Sequence, residues 1–382
     1  MTSRCKLSNG ICGLGIVAIL LLTCCNNLSQ GEKSSKGKGE PTSSRQPQEA
    51  GYPELVAGEF DYKGDTAFGE IIELKGKQIV GDTAIFKTFE CSFIMKDSLF
   101  IMTRGFDPIF LFHFPSMMNF EQIYNIGNGP NEFNYPQVIE SVDSTELAFV
   151  VDQMNYRKLF RLTNDFKLVP IKSPFNCRSP HAVRNISHLG NSRFVYTERI
   201  FDQDFMIQEC CLEGDSVYVK DIYNVALPGL KGDWRQQIGS INVNVKSSRL
   251  VYAYAFYRRI LFMDLDAKTV RVLNYEGESG FDDKTLLKAD ALLLNKAYYG
   301  SISSNDEYVF ISYTGKSSVD WYNGHKKGDN SIYIEQYDWS GNPIRKYKLD
   351  YGGAFFIDKE GKRIYLIASY FDEPFFVYDL PK

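Results

Sequence analysis

From about Thr66 to the C-terminus, short apolar runs alternate with turn residues, and side chains within each run alternate at period two. Ser92–Thr103 reads SFIMKDSLFIMT, two apolar runs around a Lys-Asp-Ser turn. Ile109–Phe114 follows, and Gln137–Asp152 repeats the pattern. Further runs are Ser192–Ile200, Ser216–Val225, Arg249–Phe256, Arg258–Leu265, Tyr308–Gly315, Ser331–Asp338, Lys362–Ser369 and Pro374–Leu380. β-branched and aromatic residues dominate them, with Gly, Asn, Asp or Ser between, which is strand-and-turn chemistry. One segment carries a helical pattern instead. Asp282 or Asp283 can cap KTLLKADALLLNKA, on which Leu286, Leu287, Leu293 and Leu294 share roughly one face.

The strands group into units near residues 81–126, 136–171, 180–225, 238–275, 298–349 and 351–382. Self-similarity at this period predicts an all-β fold, a six-bladed β-propeller, with seven blades as the alternative. The last unit holds about three strands. An N-terminal strand from Phe68–Leu74 or Ala84–Phe89 would supply the fourth, closing the ring without a free sheet edge.

Two stretches carry a family resemblance. Ile126–Leu162 resembles an NHL-type repeat through Gly127, Gly129, Glu132, Phe133, Pro136, Asp152, Asn155 and Arg157. Tyr333–Asp350 (YIEQYDWSGNPIRKYKLD) resembles a hairpin of the TolB-like six-bladed propeller lipoproteins of bacteria. The resemblance implies that Asp152, Asn155 and Arg157 tie a turn to the neighbouring blade.

The N-terminus is a different kind of sequence. Arg4 and Lys6 precede an uncharged run from Ile11 to Leu22. That run is shorter than the roughly 20 apolar residues needed to span a bilayer, and it fits a signal-peptide core. LLTCCNN (Leu21–Asn27) then resembles a bacterial lipobox, with Cys25 the expected acylated residue and Cys24 the fallback. Residues 1–24 therefore read as a lipoprotein signal peptide, and 25–50, rich in Ser, Gly, Lys, Gln and Glu, as a flexible tether. Residues 66–382 are the propeller domain. The implied address is the cell envelope, lipid-anchored at the outer membrane, on its periplasmic or surface face.

Composition narrows the function. The 382 residues include 28 Phe, 24 Tyr and 3 Trp and are 44% hydrophobic, which excludes a disordered chain, a collagen-like fibre and a small disulfide scaffold. Lys plus Arg total 43 against 47 Asp plus Glu. This balance offers no clustered positive charge for a nucleic-acid backbone. Cys91, Cys177, Cys210 and Cys211 show no CxxC spacing, and His113, His181, His188 and His325 are scattered, so no metal-ligand set is expected. Gly127 and Gly129 run into strands rather than a helix N-terminus and do not make a phosphate loop.

Two insertions are the candidates for recognition. Leu230–Gln237 carries Trp234 and Arg235, and Gly315–Asn330 carries Trp321, Tyr322 and His325. Aromatic faces in polar loops stack on sugars or partner side chains, and Arg supplies oriented donors. The leading expectation is a non-enzymatic module binding a glycan, peptide or envelope protein without a cofactor. The rival is a propeller lactonase or glycan-acting lyase with an axial site, for which a Ca²⁺ ion would be the discriminator.

Overall fold

The computed structural model describes residues 52–81, 89–95, 98–103, 109–122, 125–127, 129, 132–134, 136–153, 155–175, 183–200, 204–227, 235, 238–275, 294–368 and 371–381. Three strands precede the ring: β1 (Gly58–Tyr62), β2 (Ile71–Leu74) and β3 (Lys77–Ile79). Blade I comprises β4 (Phe89–Met95), β5 (Ser98–Thr103), β6 (Ile109–His113) and β7 (Met118–Gln122). A parallel pair, β8 (Asn125–Ile126) and β9 (Glu132–Phe133), leads to blade II, which is β10 (Pro136–Glu140), β11 (Glu146–Asp152), β12 (Asn155–Thr163) and β13 (Leu168–Ile171). Blade III is β14 (Val183–Gly190), β15 (Arg193–Ile200), β16 (Asp204–Glu213) and β17 (Ser216–Asn224). Blade IV is β18 (Gly239–Asn244), β19 (Arg249–Tyr254), β20 (Arg259–Asp264) and β21 (Val270–Tyr275). Blade V is β22 (Lys296–Ser304), β23 (Tyr308–Ser317), β24 (Ile332–Asp338) and β25 (Pro343–Leu349), with α1 (Ser318–Lys326) between β23 and β24. Blade VI is β26 (Ala354–Ile357), β27 (Arg363–Ile367) and β28 (Phe375–Asp379), completed by β3.

Within each blade the strands run antiparallel in chain order, and the first is innermost. The inner strands meet in the cycle β4, β10, β14, β18, β22, β26, and β26 returns to β4, so the six blades close a ring. Six apolar layers fill the six spaces between blades. Val138, Val150 and Leu111 meet between blades I and II, and Phe149, Val151 and Phe194 between II and III. Leu250 and Ile207 share the next layer, and Ile260, Val309 and Ile311 the one after it. Phe310 and Leu366 lie between V and VI, while Phe112, Phe356 and Phe375 complete the circuit between VI and I. Neighbours such as Phe149 and Val150 point to opposite layers. Both faces of a strand are therefore buried, which is why ELAFVVD and RILFMD read as nearly continuous apolar runs.

The N-terminal segment closes the ring by a route the sequence does not show. Phe68–Leu74 does not supply the missing strand of blade VI, and residues 84–88 of the other candidate, Ala84–Phe89, lie outside those described. β3 does so, pairing antiparallel with β28, so that Phe375 stands opposite Ile79. β2 instead adds in parallel to β25 as a fifth strand of blade V, and β1 adds in parallel to β21 of blade IV. Residues 52–65, upstream of the expected boundary at 66, thus belong to the folded body. One continuous strap runs along the outer edges of three blades and covers them. Of the segment expected to be helical, residues 282–293 lie outside those described. Its last two residues, Lys296 and Ala297, begin β22.

Between β1 and β2 the strap makes a 3₁₀ turn (Gly64–Phe68) that enters the seam between blades IV and V. There Lys346 and Glu335 are fully buried on adjacent strands, and Arg258, just before β20, is nearly so. Lys346 Nζ donates to Glu335 Oε1 at 2.9 Å and to Asp65 Oδ1 of the strap at 2.7 Å. Arg258 also donates to Asp65 and, at 3.5 Å, to Glu335. Tyr337 donates its hydroxyl to Glu335 Oε2 at 2.7 Å and accepts from Tyr275. Aromatic faces flank both cations: Tyr313 lies 4.0 Å from Lys346 Nζ and 4.6 Å from the Arg258 guanidinium. Burial works to raise the Asp65 carboxyl, but its hydrogen bonds to Lys346 and Arg258 and their charges outweigh it and hold it below its ordinary value. Two cations thus balance two carboxylates, and one of those carboxylates arrives only with the strap.

Breaking a buried pair leaves an uncompensated charge, so Lys346→Met is expected to cost about 3 kcal/mol, read as a fall in the urea midpoint at unchanged slope. Combining it with Glu335→Leu removes both charges and should restore most of the loss. A neutral single variant would show that the network does not clamp the strap.

Candidate functional site

Chain order assigns every connection to one of two ends. In each blade the first-to-second turn, and in blades I to V the third-to-fourth turn, lie at one end, here the hairpin face. The second-to-third turns and the links to the next blade lie at the other, the loop face. The described hairpin-face turns are two to five residues long. The connections of eleven to twenty residues, 123–135, 172–182, 225–238, 276–295 and 318–331, all join strands at the loop face. Both insertions singled out in the sequence fall among them.

The second insertion is a helix rather than an irregular loop. Ser317 Oγ accepts from the Asp320 N–H at 3.1 Å while the Ser317 N–H donates to Asp320 Oδ2, a reciprocal cap that fixes the start of α1. Asp320 in the first turn and His325 and Lys326 in the last complement the helix dipole. Trp321 is half-buried: a Cβ on Gly352 would sit 2.2 Å from its ring, so the indole rests directly on glycine backbone at the link to blade VI. Tyr322 carries the Lys326 ammonium 4.2 Å from its ring centre, one helical turn away. His325 is exposed and shares a hydrogen bond between Nδ1 and Asn330 Oδ1. Tyr322 and His325 are therefore presented on one short, capped element, whereas Trp321 anchors it. In the first insertion Arg235 is buried, 1% exposed, and Trp234 lies outside the described residues.

The polar residues of blade II hold the backbone. Asp152 Oδ2 accepts the Asn134 N–H at 3.1 Å, and Asn155 Oδ1 accepts the Arg157 N–H. Lys158 donates to the carbonyls of Gly129 and Glu132, both at 2.9 Å. Gly127 is required by close approach, since a Cβ there would lie 2.1 Å from Glu132 Oε2. His188 is a satisfied core histidine: Nδ1 accepts the Val142 N–H, Nε2 donates to the Asn191 carbonyl at 2.9 Å, and burial pushes its pKa down. Cys210 is buried in the layer between blades II and III, and Cys211 next to it is half-exposed. A cavity of about 290 Å³ lies at the outer seam of blades VI and I, away from the axis, floored by Ile79, Tyr365 and Val377 and rimmed by Lys77, Arg363 and Asp379.

Around the axis, small polar side chains stitch inner strand to inner strand. Ser240 donates to the Gly300 carbonyl at 2.7 Å, Ser304 to Asn242 Oδ1 at 2.8 Å, and Asn244 to the Asp306 carbonyl at 3.0 Å. Ser303 Oγ accepts the Ile357 N–H. At the end of inner strand β10 stands Glu140, a residue the sequence reading passed over. Its residue surface is exposed, while crowding of protein around the carboxyl group pushes it up to about 7, the two pulling in opposite directions on its solvation. The opposing influence is Lys359, on the first hairpin of blade VI. A carboxyl titrating near neutrality can donate or accept a proton there. Among the described residues no group of three or more His, Cys, Asp or Glu side chains is placed to hold a metal ion.

A raised carboxyl pKa means the folded state holds its proton more tightly than the unfolded chain. Glu140 is thus costless below its ordinary range near 4.3 and opposes folding increasingly as pH climbs from there to about 7. Glu140→Gln is expected to raise the Tm relative to the parent at pH 8 and to leave it unchanged at pH 4. Equal effects at both pH values would place the carboxyl in ordinary solvent.

Comparison with known proteins agrees with this architecture. A protein described as exported from Bacteroides fragilis is 14% identical with a TM-score of 0.51, covering 85% of this chain and 99% of its own. A member of the DUF4221 family from Bacteroides vulgatus is 15% identical with a TM-score of 0.48, covering 81% and 96%. The calcium-binding protein regucalcin from Agrobacterium tumefaciens is 11% identical with a TM-score of 0.48, covering 81% and 94%. At 14% identity the likeness to the Bacteroides fragilis protein concerns fold alone. No curated protein matches the sequence. Residues 68–360 match the family model described as TolB-like 6-blade propeller-like, and with its six closed blades the chain belongs to that family.

Proposed function

We propose that the chain is an exported, lipid-anchored propeller of the cell envelope whose loop face binds a glycan, a peptide or another envelope protein. The observation that carries this reading is the asymmetry of the two ends: tight turns on one, and on the other every connection of eleven residues or more. Long connections on a rigid scaffold are where binding residues concentrate. Tyr322 and His325 on α1 are the described side chains best placed to contribute, whereas Arg235, on the connection from blade III to blade IV, is buried. The signal-like N-terminus and Cys25 support export and anchoring.

Glu140 favours a second reading, an enzyme with an axial site. A carboxyl pushed up to about 7 at the end of an inner strand suits general acid–base chemistry on a lactone or glycan.

Thermal unfolding of residues 45–382 separates the two. A ligand at 100 times its Kd adds about 2.7 kcal/mol, a rise of roughly 4 °C for a domain of this size. A glycan or envelope peptide should give such a shift, and Tyr322→Ala with His325→Ala should abolish it while leaving the unliganded Tm unchanged. Destabilisation by EDTA that Ca²⁺ reverses, with turnover lost in Glu140→Gln, would replace the binding module with the enzyme.

A further inference from the structure

The hairpin face has a feature that its short turns do not explain. The first described residues are fixed there. Arg249, at the start of β19, donates from Nη2 to the Pro53 carbonyl at 2.7 Å, and Ser340, in the turn before β25, donates to the same oxygen at 2.7 Å. Arg249 Nη1 in turn binds Ser340 Oγ and the Trp339 carbonyl. Leu55 is buried beside them in the layer between blades IV and V. Pro53 is thus held at the hairpin face, at the seam of those blades.

The same face carries exposed apolar side chains. Val142, Val245, Phe166 and Met118, on or beside turns of blades II, IV, II and I, are 37% to 49% exposed. Phe166 has a φ of +59°, a conformation that Asn or Gly adopts with far less strain than an aromatic residue. Four lysines of this face are paired locally: Lys167 with Asp165, Lys268 with Asp266, Lys246 with Asp306 and Lys362 with Glu360. Apolar tips among paired charges suit a bilayer interface without a requirement for anionic lipid.

We propose that the hairpin face lies against the phospholipid bilayer, with the loop face turned away from it. This rests on the lipid-anchored reading above. If residues 25–51 form the tether that their Ser-, Gly- and Lys-rich composition implies, their root-mean-square reach is about 30 Å, comparable to the roughly 30 Å that a blade strand of nine or ten residues spans from one face to the other. A tether that meets the body near Pro53 keeps the hairpin face near the lipid. Seating the loop face on the membrane would require the tether to be drawn along the whole height of a blade.

The test uses the full chain, acylated in a bacterial host and reconstituted into dioleoylphosphatidylcholine vesicles with and without brominated phosphatidylcholine. Phe166→Trp and Val142→Trp place a reporter on the hairpin face. Val80→Trp, at the loop-face end of β3 and exposed, is the control. Bromolipid quenching of the added emission is expected to be several-fold greater for Phe166→Trp and Val142→Trp than for Val80→Trp. Equal quenching at the three sites, or more at Val80→Trp, overturns the orientation alone, provided the protein floats with the vesicles and its mass shows the acyl chains. A protein without acyl mass, or one that floats equally as Cys24→Ser/Cys25→Ser, overturns the anchored reading and the orientation with it.

Discussion

Lys346 and Glu335 lie fully buried on neighbouring strands of blade V, and Arg258 reaches them from blade IV. Removing ions from water costs several kcal/mol each unless charge and hydrogen bonds compensate. Blades IV and V alone supply two cations and one carboxylate. Asp65, from the strap, is the missing negative charge, and the 3₁₀ turn that carries it also brings Phe68 into the aromatic wall of the same layer. The path of the N-terminal segment follows from this requirement. With Asp65 fixed in the seam, β1 is laid on β21 to one side and β2 on β25 to the other, and β3 falls where blade VI lacks its outer strand. Closure of the ring and coverage of three sheet edges thus depend on one buried electrostatic balance.

Much of the ring was legible because a blade buries both faces of its strands. Runs such as ELAFVVD in blade II need no partner to be recognised, and five units within 81–349 coincide with blades I to V. The strap was illegible for the opposite reason. β3 is three residues, Lys-Gln-Ile, too short to show a period, and its place is decided by a contact with residues about 300 positions away. Glu335 and Lys346 stand in YIEQYD and RKYKLD, where charges among aromatics read as the solvent side of an outer hairpin. Only the third dimension shows that the strap covers them.

The candidate site divides in the same way. The insertion around Trp321 is conspicuous in sequence, yet Asn323 and Gly324 weaken its helical pattern, and the signal for α1 is the Ser317–Asp320 cap. Trp321, the residue most noticeable for its type, serves as a packing anchor on Gly352 and leaves Tyr322 and His325 as the presented pair. Glu140 gives no sequence signal beyond being acidic at the end of a unit's first strand. Its neutral-range carboxyl comes from the ring around it. Together these features give the molecule two unlike ends, a loop face with variable chemistry and a hairpin face at which Pro53 is held.

Hydrogen exchange of the intact protein at neutral pH tests the central dependence most directly. If the charge balance at Asp65 locks the strap to the ring, the bonded amides of β1 and β2 exchange only through global unfolding, at the rate of the core strands β19 and β23. Exchange of β1 and β2 orders of magnitude faster than β19 and β23 would contradict it, showing a strap that peels while the ring stays closed.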